Sequence, residues 1–530
     1  MKKISSQQLI LLISFFLIFF ANVRFFSNII DVYPLVSENI LFLCSLAILF
    51  ACINIIILSL LCFKFTIKPV LIFILLISSA TAYFMDTYNV MIDDSMIDNV
   101  LKTDIHEAFD LVSFRQIIYL IVLGILPALF VYKVKIVYPG MKTAIFQRLR
   151  LIILTIIIGA LTVVSSGNFY ASFIREHKPL RYYANPSYYL YSTVRYINSF
   201  FKQDSGNLKQ IGTHAHIKES DDHRELIIFV LGETARADHF SLNGYQKKTN
   251  PLLEKEAVTS FTDVWSCGTS TSYSVPCLFS VYSNSEFNKN KASHTENLLD
   301  VLKHAGVNVL WLDNNSSSKG VADRVAYTSY KSAPINPVCD TECRDEGMLS
   351  HLQEYINKHP QGDIFIVLHQ QGNHGPAYYK RYPSRFEIFT PVCQTNQLEQ
   401  CTTEEINNAY DNALVYTDYF LQQTIQLLKK NNAAFEAALI YISDHGESLG
   451  ENGLFLHGLP YMLAPDTQKK VPMIMWFSDS FEKQEVNPEI FRKIKDKRYS
   501  HNNIFHTILG LFEVTTSVYN KDLDIIAHDD

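Results

Sequence analysis

Leu226-Ile227-Ile228-Phe229-Val230-Leu231-Gly232-Glu233-Thr234 is the stretch that decides how this chain folds. An unbroken apolar run rich in β-branched residues predicts a strand buried on both faces, and a carboxylate follows it at once. A second run has the same form: Ala438-Leu439-Ile440-Tyr441-Ile442 leads into Ser443-Asp444-His445-Gly446. Open α/β sheets place their ligand sites at the C-terminal ends of such strands. On a regular strand Asp444 and His445 would face opposite ways. Both reach one ion only if the chain turns just after Ile442, which Gly446 makes easy. Glu233, Asp444 and His445 offer oxygen and imidazole donors and nothing softer, a set that suits zinc or another divalent ion. One Asp-His-Gly is an ordinary loop, but two such strand ends in one chain point to a metal centre.

Outward from these runs, strands are predicted at 226–231, 307–312, 363–368, 438–442 and 472–477. Helical patterns such as Glu296 to His304 and Glu404 to Leu428 lie between them. Strand–helix alternation implies an α/β domain, a mostly parallel sheet with helices on both faces. The 363–368 strand runs into His369-Gln370-Gln371-Gly372-Asn373-His374-Gly375-Pro376, so two more histidines arrive at the same edge. His457, in Leu456-His457-Gly458, can fold back over it. A lone histidine is usually structural; four near one edge favour ligands or phosphate contacts. The missing nucleophile has a candidate loop, Ser266-Cys267-Gly268-Thr269-Ser270-Thr271-Ser272-Tyr273-Ser274-Val275-Pro276-Cys277. A hydroxyl there becomes a competent nucleophile when a metal lowers its pKa. Composition leaves Thr269, Ser270, Thr271, Ser272 and Ser274 open.

The first 170 residues differ in kind. Apolar stretches at about 8–30, 36–62, 69–85, 116–132 and 149–166 predict five membrane spans. Lys2, Lys3, Lys64, Lys68, Lys133, Lys135, Lys142, Arg148 and Arg150 fall at the N-terminus and in alternate loops, against Arg24, Lys102 and Arg115 opposite. The N-terminus is therefore cytoplasmic, and an odd number of spans exports everything after about residue 167. Cysteines agree. Of nine, Cys44, Cys52 and Cys62 lie in an apolar stretch and are expected to be buried. Cys267/Cys277, Cys339/Cys343 and Cys393/Cys401 form close pairs in the exported part and read as disulfides, with a structural zinc site the competing reading. The expected organisation is a transmembrane domain at 1–167, an interfacial linker at 168–220 and a catalytic domain at 221–530. The linker is dense in tyrosine and suits either headgroup level or packing on the exported domain. A net charge of −6 without a basic tract argues against nucleic acid.

Gly232-Glu233-Thr234-Ala235-Arg236-Ala237, Cys267-Gly268-Thr269-Ser270-Thr271, Gly372-Asn373-His374-Gly375-Pro376 and Ser443-Asp444-His445-Gly446-Glu447 together resemble the lipid A phosphoethanolamine transferases, a group that includes the mobile colistin-resistance enzymes. The resemblance spans nearly the whole chain and implies a catalytic domain of the alkaline phosphatase and sulfatase superfamily. It implies Thr271 as the nucleophile and Glu233, Thr271, Asp444 and His445 as zinc ligands. Lys319, His369, His374, Glu447 and His457 match positions around the phosphate group or a second zinc. The three cysteine pairs match family disulfides. Asn99, Thr103 and Glu107, which one helical face would carry, match positions that bind the phosphoethanolamine headgroup. The implied reaction moves phosphoethanolamine from phosphatidylethanolamine to lipid A in the inner membrane of a bacterium, catalysed by a monomer on the periplasmic side. Core heptose, Kdo or a periplasmic glucan are alternative acceptors, and a phosphoglycerol transferase is an alternative chemistry. A sulfatase would carry Cys-x-Pro-x-Arg, whereas here Pro276 precedes Cys277. A non-enzymatic receptor would be expected to have lost some of the four ligands.

Overall fold

The computed structural model describes residues 3–103, 105–167, 169–170, 173, 177–201, 208–217, 224–484 and 493–526. Contacts divide the chain into two units, Met1–Asp98 with Val112–Phe200, and Asn99–Leu111 with Phe201–Asp530.

The first unit is helical. Ser37–Leu61, Ile67–Tyr88, Phe114–Lys133 and Met141–Ser165 are each long and apolar enough to cross a membrane. The first predicted span is instead a bent pair, Ser6–Phe20 and Val23–Val32, angled by 56°. The break at Asn22 has a cause. Its side chain donates to Leu17 O and Asn185 O, while Asn185 donates to Ala21 O and Ser78 O, so the carbonyls released by the bend stay satisfied. Side chains such as Phe19, Leu161 and Val164 point outward, as lipid-facing residues do. Cys52 and Cys62 are buried, but Cys44 is exposed, contrary to expectation, because it falls on the outward side of its helix. Tyr170, Tyr183 and Tyr189 of the tyrosine-rich segment hydrogen-bond to Ser45, Asn89 and Ser78 of this same unit.

The second unit is built on an eight-stranded sheet. Its order is Arg498–Ser500, Thr259–Trp265, Lys470–Phe477, Glu436–Ser443, Glu225–Gly232, Ile364–His369, Asn308–Asp313 and Ala326–Ser329. Lys470–Phe477 runs against both neighbours and every other pairing is parallel. All five predicted strands are present. Thr259–Trp265, Ala326–Ser329 and Arg498–Ser500 lacked an apolar run and were not foreseen. The even and odd residues of Glu225–Gly232 enter two separate apolar cores, Ile227, Phe229 and Leu231 in one and Leu226, Ile228 and Val230 in the other. That is why the strand reads as apolar throughout. The 29-residue helix Thr403–Asn431 starts at a capping box between Thr402 and Glu405 and covers the second core with Tyr410, Leu414, Leu421 and Ile425. Register then aligns the strand ends: Gly232 pairs with Ser443, Leu231 with His369, and Asp313 with His369.

Candidate active site

Glu233, Asp444 and His445 leave the paired strand ends together, all fully buried, with one ligand atom of each within 4.8 Å of the others. The strand keeps its register through Ser443 and turns only then. Ser443 Oγ accepts from Ala235 N at 2.8 Å and donates to His445 O at 2.9 Å. Gly446 serves by size rather than by conformational freedom, since a Cβ there would lie 2.0 Å from Thr467 O. Asp444 Oδ1 accepts from Thr234 N at 3.1 Å and His445 N at 2.7 Å. Thr234 takes a left-handed conformation, φ 59°, held also by its carbonyl accepting from Tyr410 Oη at 2.7 Å. His445 Nδ1 donates to Gly446 O at 2.9 Å, which leaves Nε2 facing Glu233 Oε1 and Asp444 Oδ2, each at 3.3 Å.

Burial works against charge throughout this cluster. Hydrogen bonding to His445 and its charge nevertheless hold Glu233 well below the usual carboxylate range. Burial and the Glu233 charge push Asp444 up to about 6. His445 resists the same burial because Asp444 and Glu233 surround it, and it rises to about 10. Two carboxylates thus hold one proton on an imidazole, and Asp444 Oδ2, buried, has no hydrogen-bond partner among the described residues. A divalent cation fits where that proton sits: the donors are hard, converging and short of positive charge.

The stapled loop supplies one hydroxyl to this cluster. Thr271 opens the helix Thr271–Leu278, and its Oγ1 lies 3.1 Å from Glu233 Oε2 and 3.4 Å from His445 Nε2. Two of the alternatives are engaged elsewhere. Thr269 donates to Leu459 O at 2.6 Å, Ser272 bonds Asn99 Oδ1, and Ser274 is wholly buried. Disulfides close Cys267–Cys277, Cys339–Cys343 and Cys393–Cys401.

The remaining candidates separate into those near and those only adjoining. His457 returns on the short hairpin of Ser448–Leu449 and Phe455–Leu456, its ring 4.3 Å from that of His445 and 5.6 Å from that of His374. Its Nδ1 is 3.4 Å from Glu447 Oε1. Burial, with the charges of His457 and Arg381 added, holds His374 down to about 3. His369 is fully buried: Nδ1 bonds Asp313 Oδ2 at 3.1 Å, and Nε2 has no partner among the described residues. Lys319 adopts φ 51° and folds its amine onto Ser316 Oγ at 2.5 Å. It lines a cavity of about 140 Å³ with Lys102, Ser272 and Lys289.

The single helical face expected for Asn99, Thr103 and Glu107 does not form. The helix Asp94–Lys102 ends there, and Ile105–Asp110 is separate. Thr103 directs both its N–H and its hydroxyl to Asn99 O, at 2.8 and 2.7 Å. Asn99 reaches the loop through Ser272; the Glu107 side chain lies outside the described residues.

Four partners were not foreseen. Asn315 donates to Glu233 Oε2 at 2.8 Å and Gln370 O at 2.7 Å. Asp313 orients His369. His501 accepts from Cys267 N at 3.2 Å and donates to Ser443 O at 3.0 Å, tying the loop to the strand end. Asp110 meets Lys380 Nζ at 2.6 Å and Arg381 Nη2 at 2.7 Å, and Arg381 Nε donates to His374 O at 2.6 Å. Asp313 and Asn315 directly follow the 307–312 strand, a signal that could have been used. Nothing in sequence distinguishes His501 or Asp110.

Comparison with known proteins bears on this arrangement. A family model described as Sulfatase matches residues 225–514, and one described as Phosphoethanolamine transferase EptA/EptB matches residues 50–200. Phosphatidylethanolamine transferase Mcr-1 of Escherichia coli is 42% identical over 97% of this chain and 96% of its own. Phosphoethanolamine transferase EptA of Escherichia coli K12 is 39% identical over 98% and 96%. The integral membrane lipooligosaccharide phosphoethanolamine transferase A of Neisseria meningitidis superposes with a TM-score of 0.96, at 33% identity and 99% coverage of both chains. The chain belongs to the phosphoethanolamine transferase family, as a membrane-integral member with a sulfatase-type catalytic unit.

Proposed function

We propose that this chain transfers phosphoethanolamine from phosphatidylethanolamine to a phosphate of lipid A at the periplasmic face of the inner membrane, through a covalent intermediate on Thr271. The observation that carries this is the Thr271 hydroxyl at a helix N-terminus within hydrogen-bonding reach of both Glu233 and His445. Thr271 Oγ attacks phosphorus, the bond from phosphorus to the diacylglycerol oxygen breaks, and that oxygen leaves with a proton as diacylglycerol. An acceptor phosphate oxygen then attacks the same phosphorus and the bond to Thr271 breaks, which gives ping-pong kinetics. Glu233 Oε2 accepts the Thr271 hydroxyl hydrogen bond and aims the oxygen outward. Asn315 and Thr234 fix Glu233 in turn, and Lys319, His374 and His457 offer positive charge or donors to the phosphate oxygens.

Glu233, Asp444 and His445, with Thr271 Oγ, would hold zinc. A bound zinc ion would supply the Lewis acidity that lowers the hydroxyl pKa and screens charge on the phosphoryl group.

Lipid A is the acceptor in this reading because the relatives named for a Kdo acceptor are more distant, 27% identical for the Escherichia coli enzyme. A protonated amine added to lipid A offsets phosphate charge, so expression should raise polymyxin resistance in a sensitive Gram-negative host. Mass spectrometry of lipopolysaccharide from cells with and without the protein tests the proposal. Phosphoethanolamine on lipid A supports it; unmodified lipid A with the group on heptose, Kdo or glucan moves the acceptor.

A further inference from the structure

The segments 1–8, 60–68 and 132–150 of the helical unit hold Lys2, Lys3, Lys64, Lys68, Lys133, Lys135, Lys142, Arg148 and Arg150 and no Asp or Glu at all. Residues 3–8, 60–68 and 132–150 meet at one end, the cytoplasmic one by the positive-inside rule. Lys3–Ser5 and Lys135–Val137 pair there as a parallel two-stranded ladder in which Lys3 stands directly opposite Lys135. Like charges in register repel, and the fold sets them side by side with no carboxylate among the described residues lining the cavity. Lys3, Lys68, Lys133 and Lys135 line a common open cavity of about 610 Å³, together with Val134 and Tyr138. The Lys68 amine is anchored by donating to Tyr132 O at 2.6 Å. Membrane orientation needs an excess of Lys and Arg; it does not need four of them around one cavity, two in register.

We propose that this cavity binds the phosphodiester headgroup of an anionic phospholipid of the cytoplasmic leaflet, phosphatidylglycerol or cardiolipin, which supplies the countercharge these segments lack. Lysines at a membrane surface each attract anionic lipid, and basic pockets between helices on this side suit such headgroups. The lipid would seal the Lys3–Ser5 ladder against the bilayer, far in sequence from any residue given a part in transfer.

The test uses full-length protein in nanodiscs of phosphatidylethanolamine with a minor fraction of phosphatidylglycerol. Lipid retained on release is read by native mass spectrometry and the unfolding midpoint by heating. Wild type should retain phosphatidylglycerol and unfold at a higher temperature than in phosphatidylethanolamine alone. Lys3→Gln with Lys135→Gln should weaken retention roughly thirtyfold, whereas Lys3→Arg with Lys135→Arg keeps it. Lys142→Gln with Arg150→Gln, which removes two cations outside the cavity, should leave retention unchanged. Equal loss in the inside and outside pairs would mean diffuse surface charge and overturn the proposal, as would wild type that retains no anionic lipid. Inorganic phosphate alone reproducing the thermal shift would make this a free-phosphate site and overturn the lipid. If the glutamine pair fails to reach the membrane, Lys135→Gln read against Lys135→Arg decides by the same criterion.

Discussion

The inner and outer halves of the site are built differently. Glu233, Asp444 and His445 sit on paired strand ends, and each is fixed by at least one further hydrogen bond, from Asn315, Thr234 N or to Gly446 O. Asn99 comes from the helix Asp94–Lys102, Lys319 from a turn, and His457 follows the short hairpin of Ser448–Leu449 and Phe455–Leu456. Asn99 bonds Ser272, and Lys319 folds onto Ser316. The sheet thus places the inner groups through paired strand ends, while the outer groups are carried by elements outside it. In the proposed reading, reaction chemistry belongs to the first set and substrate fit to the second.

Breaking the inner set should cost most. Thr271→Ala should lower transfer by roughly 10⁴-fold or more with folding and membrane insertion intact, while Thr271→Ser keeps part of the activity. Near-native transfer by Thr271→Ala would pass the nucleophile to another hydroxyl. Glu233→Ala and His445→Ala should lose metal and rate together, read by elemental analysis beside turnover. A chelator should do the same to wild type, and added zinc restore it. An active protein with no metal above background would contradict this.

The boundary between the halves can then be sharpened. Asn315→Ala, which frees Glu233 Oε2 without removing a ligand, should cost about 10- to 100-fold in kcat, with KM for the lipid donor nearly unchanged. Asn99→Ala should do the reverse, raising KM by up to roughly tenfold with kcat preserved, since in the proposed reading Asn99 bonds the headgroup. Matching kcat losses in both would erase the distinction.

Legibility followed the same division. Apolar runs such as 226–231 and 438–442 announced themselves because both faces of those strands are buried, and the residues after them had to lie at one edge. Polar strands escaped: Thr259–Trp265 carries Ser260, Thr262 and Asp263, and Arg498–Ser500 has no apolar residue but Tyr499. Thr271 and Lys319 were identified by resemblance, because the hydroxyl-rich loop alone left five candidates, whereas His369, His374 and His457 followed from the strand end at 363–368 and the Leu456-His457-Gly458 turn. Contacts across long sequence distance, His501 to Cys267 and Asp110 to Arg381, leave no local pattern. The face shared by Asn99, Thr103 and Glu107 was read from spacing alone, and spacing does not show that the helix Asp94–Lys102 stops before Thr103.

A smaller effect is expected from pH. Burial holds His501 down to about 3 and His506 to about 4, both below the ordinary value near 6.5. Groups depressed in the folded state contribute stability above the unfolded pKa and lose it as pH falls. The catalytic unit should therefore lose roughly 1.4 kcal/mol per pH unit for each histidine between about pH 6 and pH 4. His506→Gln should flatten the dependence of the unfolding midpoint by one proton. An identical slope in wild type and variant would remove His506 from the account.

The most direct test of the central claim is peptide mapping of the purified protein, acid-quenched after exposure to phosphatidylethanolamine without acceptor. The account predicts phosphoethanolamine on Thr271, discharged when lipid A is added and absent from Thr271→Ala. Phosphoethanolamine on another residue, or transfer to lipid A with no protein-bound intermediate at any quench time, would contradict it.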